Sequence, residues 1–187
     1  VTTDGRLACP FHGWEFGHGG ACEYVPFNPA AKRQQLCATS LPTHEAAGIL
    51  WVYTAPIASA PELPFIDDTL TSPEFAHTPL SVNWACHWTR AMENMLDTPH
   101  LPYVHRTTIG AGIKKRMTRD SQLTMTWVDD ENGGIISSQL DNDPPQQALR
   151  FMRPNRMALY IDPPGKRLRM HVFCVPTEAN RTRMMIL

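Results

Sequence analysis

The chain has 187 residues, with 17 Lys and Arg against 18 Asp and Glu, for a formal net charge of −1. That balance lacks the basic excess of a nucleic-acid module, and 42% hydrophobic residues argue against disorder. No apolar run approaches the roughly 18 residues that span a bilayer, and 17 prolines with 11 glycines disfavour a bundle of long helices.

The length suits one domain or two small ones. The first residues, Val1 to Gly5, carry no initiator Met, and Thr182 to Leu187 read as the middle of a strand, so an internal fragment of a longer protein is expected. Residues 6–54 read as short strands. Leu7 to Phe16 is extended but broken by Pro10 and Gly13, and Gly17 to Gly20 is a loop. Ala47 to Thr54 is β-rich, with Ile49, Trp51 and Tyr53 on one face. A proline-rich stretch follows and reads as a linker.

Residues 82–98 are the best helix candidate, because Trp84, Trp88, Met92 and Met95 recur at helical spacing beside Cys86 and Leu96. Pro99 ends or kinks that helix. After Gly110 and Gly112 the pattern returns to strand. Leu123, Met125 and Trp127 alternate, Asp129 to Gly134 is a hairpin-type turn, and Leu168, Met170, Val172 and Cys174 alternate again before Pro176 to Asn180 turns the chain. One helix followed by an antiparallel sheet is an α+β pattern.

Five cysteines, at 9, 22, 37, 86 and 174, are too few and odd in number for a disulfide scaffold. They fit thiols or metal ligands in a reducing compartment, with the cytoplasm as the expected location. Cys22, Cys37, Cys86 and Cys174 read as buried thiols, and His18, His44, His77, His87 and His171 lack ligand spacing.

Two motifs carry chemistry. In Cys9-Pro10-Phe11-His12-Gly13-Trp14 a tight loop aims a thiolate and an imidazole at one region, with Pro10 stiffening it and Gly13 letting the backbone fold close. The plain alternative is a buried thiol beside an ordinary loop histidine. The second motif runs from Glu93 to His105 and contains Asp97, His100 and His105. Asp97 and His100, three apart on a helix, share a face. His105 reaches the same ion only if Pro99 and Pro102 distort the segment. Two His and one carboxylate with open positions is the facial arrangement of O₂-activating non-haem Fe(II). Asp97 is either a ligand or a carboxylate that fixes the tautomer of a ligand imidazole. The plain alternative here is a helix end with solvated histidines.

In this order the two motifs resemble the large subunit of the Rieske non-haem iron oxygenases, and the stretch from His100 to His105 followed by Gly110 looks most like the branch containing vanillate O-demethylase and pheophorbide a oxygenase. The resemblance implies a partial all-β Rieske domain over residues 1–58, a linker over 59–80, and the first part of a mononuclear-iron catalytic domain of helix-grip type over 81–187. It implies that Cys9 and His12 each bind one iron of a [2Fe–2S] cluster, that His100 and His105 bind the catalytic Fe(II), and that Asp97 bridges the iron site to the cluster of a neighbouring subunit. Electrons would then cross a subunit interface in a homotrimer, supplied by a separate NAD(P)H-dependent reductase or ferredoxin. O₂ would be the co-substrate, and a small aromatic or other cyclic compound would be hydroxylated or oxidatively demethylated.

Two departures from the family pattern stand out. The Cys-x-His half of the cluster motif is missing, and the third iron ligand is expected beyond Leu187, so the fragment alone would not turn over. Asp162 and Glu178 are in-chain candidates for that ligand, each at a turn where a solvated carboxylate is the ordinary state. Met117, Met125, Trp127, Phe151, Met152 and Met170 would wall a substrate pocket, with plain core packing as the alternative. Lys114, Lys115 and Arg116 could dock an acidic electron donor or simply be solvated. Two rival functions remain: a Rieske-type electron carrier without oxygenase activity, and a zinc-stabilised binding module.

Overall fold

Pro10, Gly13 and Gly17 leave only short extended pieces near the start of the chain. In the computed structural model, which describes residues 1–55, 61–162 and 165–187, β1 (Leu7–Ala8), β2 (Glu15–Phe16) and β3 (Cys22–Tyr24) form a three-stranded antiparallel sheet. A hairpin follows, from β4 (Thr43–Ala46) and β5 (Ile49–Val52). Its turn residues Ala47 and Gly48 both have positive φ, 56° and 68°, the backbone of the tight turn that matches strand twist. Ile49 and Trp51 are half-buried and alternate with exposed Leu50 and Val52. Tyr53 falls beyond the strand and is exposed.

The chain divides into two units, Val1–Ile66 and Asp67–Leu187. Of the stretch expected as a linker over 59–80, residues 59–60 lie outside the described residues, 61–66 fall in the first unit and 67–80 in the second.

In the second unit the elements are β6 (Leu80–Trp84), α1 (Trp88–Leu96), α2 (Leu101–Val104), α3 (Ala111–Arg116), β7 (Leu123–Asp130), β8 (Gly133–Leu140), β9 (Gln146–Met152), β10 (Arg156–Ile161), β11 (Leu168–Glu178) and β12 (Arg181–Ile186). The seven strands make one antiparallel sheet in the order β6-β12-β11-β10-β9-β8-β7. From β7 to β12 it is a simple meander, and β6 closes the far edge beside β12. The α+β class read from the sequence is the class observed.

Two expectations need correction. The helix does not begin at 82: Leu80–Trp84 is an edge strand paired with β12, and the chain turns before α1 starts at Trp88. Trp84 mimics a helical repeat but reaches the core from a strand, because the unpaired edge of β12 captures this segment. Residues after Gly110 form α3 before any strand begins.

Ala91 and Met92 of α1 pack on Leu149, Met157, Leu159, Val172, Cys174 and Met184, one face of the sheet. The alternation of Val172 and Cys174 with His171 and Phe173 sends the latter pair to the opposite face. Of the expected pocket-wall residues, Phe151 and Met170 pack against the helix-side core, and Trp127 joins Phe151, ring centres 6.2 Å apart. Met152 does not belong with them. It neighbours Phe151 in β9 and so points to the other face, where it is buried opposite Arg156. Thr182, fully buried, donates its hydroxyl to the Cys86 carbonyl at 2.9 Å and ties the approach to α1 onto β12. No helix among the described residues is long and apolar enough to cross a membrane.

Candidate metal centres

His87 caps α1, its ring accepting from the Thr89 amide. The helix ends at Leu96 because Asp97 is extended (φ −85°, ψ 113°) and Thr98, buried, precedes a proline that disfavours helical backbone. The chain re-enters helix for one turn, α2, with a proline near its start where no amide hydrogen is needed. The His100 carbonyl accepts from the Val104 amide at 2.9 Å, and the His105 amide donates to the Leu101 carbonyl at 3.0 Å. His100 and His105 thus bracket a single turn.

Their rings lie 5.3 Å apart, centre to centre. Metal–imidazole bonds of about 2 Å let two rings facing one ion stand a few ångströms apart, and this separation lies within that reach. Asp97 Oδ2 is 3.1 Å from His100 Nδ1, with the imidazole 18% and the carboxylate 42% exposed. A carboxylate on Nδ1 leaves Nε2 as the free nitrogen and turns the ring toward a ligand on that side. Of the two roles left open for Asp97, this contact fits the orienting one.

Gly110 completes the arrangement. Its amide donates to the His105 carbonyl at 3.0 Å, and a Cβ there would stand 1.9 Å from the Leu101 carbonyl oxygen. Only glycine lets α3 return onto α2. Among the described residues no three His, Cys, Asp or Glu converge as a metal-holding group. Asp162 pairs with Arg169 at 2.6 Å and Glu178 with Arg181 at 3.3 Å, both at the surface, and neither joins the histidine pair.

The other motif forms a turn between β1 and β2. The Cys9 amide donates to the Trp14 carbonyl at 2.8 Å and the Gly13 amide to the Cys9 carbonyl at 2.9 Å. Gly13 has φ +68°, with Pro26 Cγ 3.2 Å from where a Cβ would sit. Cys9 is half-buried, His12 is exposed, and the His12 ring lies 3.8 Å from that of Phe11. A thiolate and an accessible imidazole on one rigid turn make half of a two-Cys, two-His donor set.

Sequence reasoning missed two features. Gly134, read only as a turn residue, lies under the Trp127 indole, where a Cβ would come within 2.3 Å of the ring. His171, noted only for lacking ligand spacing, is buried in a hydrogen-bonded group with Asp67, Thr69 and Tyr160. Asp67 and Thr69 lie about a hundred positions before it, and no local pattern announces them.

Both motifs fall within stretches that match known domain families. Residues 84–186 match the vanillate O-demethylase oxygenase C-terminal domain, and residues 1–45 match the Rieske [2Fe-2S] domain. The chain belongs to the Rieske non-haem iron oxygenases, in the family of the vanillate O-demethylase oxygenase C-terminal domain. A Rieske cluster and a mononuclear iron that uses O₂ are the cofactors of that family.

Chlorophyllide a oxygenase of Arabidopsis thaliana is 26% identical over 99% of this chain and 34% of its own length. The 5,5'-dehydrodivanillate O-demethylase oxygenase subunit of a Sphingobium species is 34% identical over 56% of this chain and 25% of its own. The chain thus spans about a third, or less, of these relatives. The crystal structure of dicamba monooxygenase bound to dicamba shares the fold, with a TM-score of 0.76 at 18% identity over 100% of this chain and 60% of that one.

Proposed function

We propose that the protein carrying this chain is the oxygenase component of a Rieske system. It inserts O₂-derived oxygen into a small aromatic or other cyclic compound, by hydroxylation or oxidative demethylation. The observation that carries this reading is the Asp97–His100–His105 turn, with its 5.3 Å ring pair and oriented imidazole, inside a chain of that family.

His100 and His105 would hold the mononuclear iron, and Cys9 and His12 would supply one ligand to each iron of the cluster. The bound iron supplies O₂ activation and the cluster supplies single electrons. The residues of the chain do the rest. Asp97 accepts from His100 Nδ1 and keeps the other ring nitrogen deprotonated and aimed. Gly110 and the α2 backbone hold the two rings at fixed spacing. Met125, Trp127 and Phe151 present an apolar, aromatic surface on the helix side of the sheet, suited to a flat ring.

A separate NAD(P)H-dependent reductase or ferredoxin delivers the electrons, and a homotrimer brings the Asp97 of one subunit to the cluster of the next. Lys114 and Lys115 are exposed, and the stretch from Thr98 to Arg119 has five cations and no carboxylate, which suits an acidic donor. The five free thiols suit a reducing compartment such as the cytoplasm.

Metal analysis of the full-length protein tests the reading. About three irons per chain, a Rieske-type spectrum and O₂-dependent product from a methoxylated or unsubstituted aromatic support it. Two irons and no product would make the protein an electron carrier, and a colourless zinc protein would make it a binding module.

A further inference from the structure

A second buried polar group lies on the sheet face turned away from α1, far in sequence from either metal motif. Asp67, the first residue of the second unit, is 7% exposed, and His171 of β11 is 3% exposed. Asp67 Oδ1 accepts from the Thr69 amide at 3.0 Å and from the Thr69 hydroxyl at 2.6 Å. Its Oδ2 accepts from the Tyr160 hydroxyl of β10. Thr69 Oγ1 also lies 2.8 Å from His171 Nε2.

Proton counting fixes the direction of this chain. Thr69 has one hydroxyl hydrogen, and the carboxylate takes it. The contact with His171 then requires the imidazole to donate through Nε2–H. His171 is therefore the Nε2–H tautomer, and its Nδ1 is a bare acceptor. That nitrogen is buried and has no hydrogen-bond partner among the described residues.

The charged and titratable groups facing His171 are Asp67, His77, Arg156, Arg169 and Tyr160. Burial holds the imidazole below its ordinary pKa. Asp67 opposes that shift, and the cationic side chains of Arg156 and Arg169 add to it. Burial pushes the Asp67 carboxyl up, but the bonds from Thr69 and Tyr160 outweigh it and hold the group below its ordinary value. Further out, Arg167 pairs with Glu74 at 2.7 Å and stacks on Phe75, 4.9 Å from the ring centre, so neighbouring residues stay attached by other contacts.

We infer that Asp67, Thr69, Tyr160 and His171 form an acid-sensitive latch, which fastens residues 67–70 to β10 and β11 while His171 is neutral and releases them when a proton binds Nδ1. The bound proton places a cation in a site shared with Arg156 and Arg169 and shielded from water. Opening returns it to solvent. The sign follows: the closed state is the poorer proton binder, so its stability is complete above the ordinary histidine pKa of about 6.5 and falls as pH drops below it. The Asp67 contribution is lost only below about pH 4. This inference does not depend on the oxygenase reading.

Hydrogen exchange of the full-length holoprotein, corrected for intrinsic rates, tests it. Between pH 7.5 and 5.5 the protection of the Thr69 and Leu70 amides should fall, approaching tenfold per pH unit at the acid end. His171→Gln keeps a donor to Thr69 but cannot titrate, so its protection should not change with pH. Thr69→Val should leave the segment open at both pH values. Equal pH dependence in wild type and His171→Gln overturns the latch. If His171→Gln fails to fold, ¹⁵N spectra of labelled histidine decide: a neutral Nε2–H tautomer near pH 6.5 supports the latch, and an Nδ1–H tautomer or a charged ring there overturns it.

Discussion

The Cys9–Trp14 turn and the Asp97–Gly110 segment each present two side chains proposed as metal ligands, but they are held by different means. The first is a local device. Its ligands are three positions apart, two backbone hydrogen bonds close the loop, a left-handed glycine shapes it, and His12 stands in solvent. The second is a tertiary device. α1 lies on the sheet through Ala91 and Met92, α3 folds back through Gly110, and only then do the two histidines flank one turn. A loop held by its own backbone can be perturbed alone, whereas the histidine turn is coupled to the core beneath it.

Substitutions can break or sharpen this contrast. In the full-length protein, His100→Ala or His105→Ala should remove the mononuclear iron and cut turnover by at least about 100-fold, more than loss of an outer partner costs. The visible spectrum of the cluster should survive. A variant with normal iron content and turnover would unseat the histidine pair. Asp97→Asn should keep both metals and lower coupled product formation by about 10–100-fold. Single-turnover assays that follow cluster oxidation beside product measure this directly, and unchanged coupling would end the bridging role.

Gly110→Ala drives a Cβ into the Leu101 carbonyl. It should destabilise the second unit by about 1–3 kcal/mol and lower iron retention with it, seen as a reduced Tm and a lower metal count. Gly13→Ala places a side chain on left-handed backbone. The cost is about 1–2 kcal/mol, confined to the first unit, so cluster absorbance should fall while mononuclear iron stays. A drop in both metals together would mean that the two regions are less independent than their construction suggests.

Local chemistry was legible and long-range packing was not. The Cys9–Trp14 turn, the hairpin at Asp129 to Gly134 and the break at Pro99 announce themselves in consecutive residues. The start of α1 did not. Trp84 lies at helical spacing from Trp88, yet pairing with Thr182 of β12, ninety-eight positions later, makes it a strand residue. Met152 cannot wall one pocket with Phe151, because neighbouring residues of β9 point to opposite faces. α3 was missed because a six-residue helix that follows Gly110 and contains Gly112 has little propensity of its own and forms by packing on α2.

Residue identity alone determined which atoms can meet a metal: one thiolate and one imidazole on a rigid turn, then two imidazoles and a carboxylate around prolines. The first of these turns needs few partners beyond its own backbone. Tertiary structure alone decided that His100 and His105 converge while Asp162 and Glu178 stay paired with arginines. It alone also joined Asp67 and Thr69 to Tyr160 and His171. Those outcomes depend on the register of an antiparallel sheet, where a shift of one residue reverses every side chain.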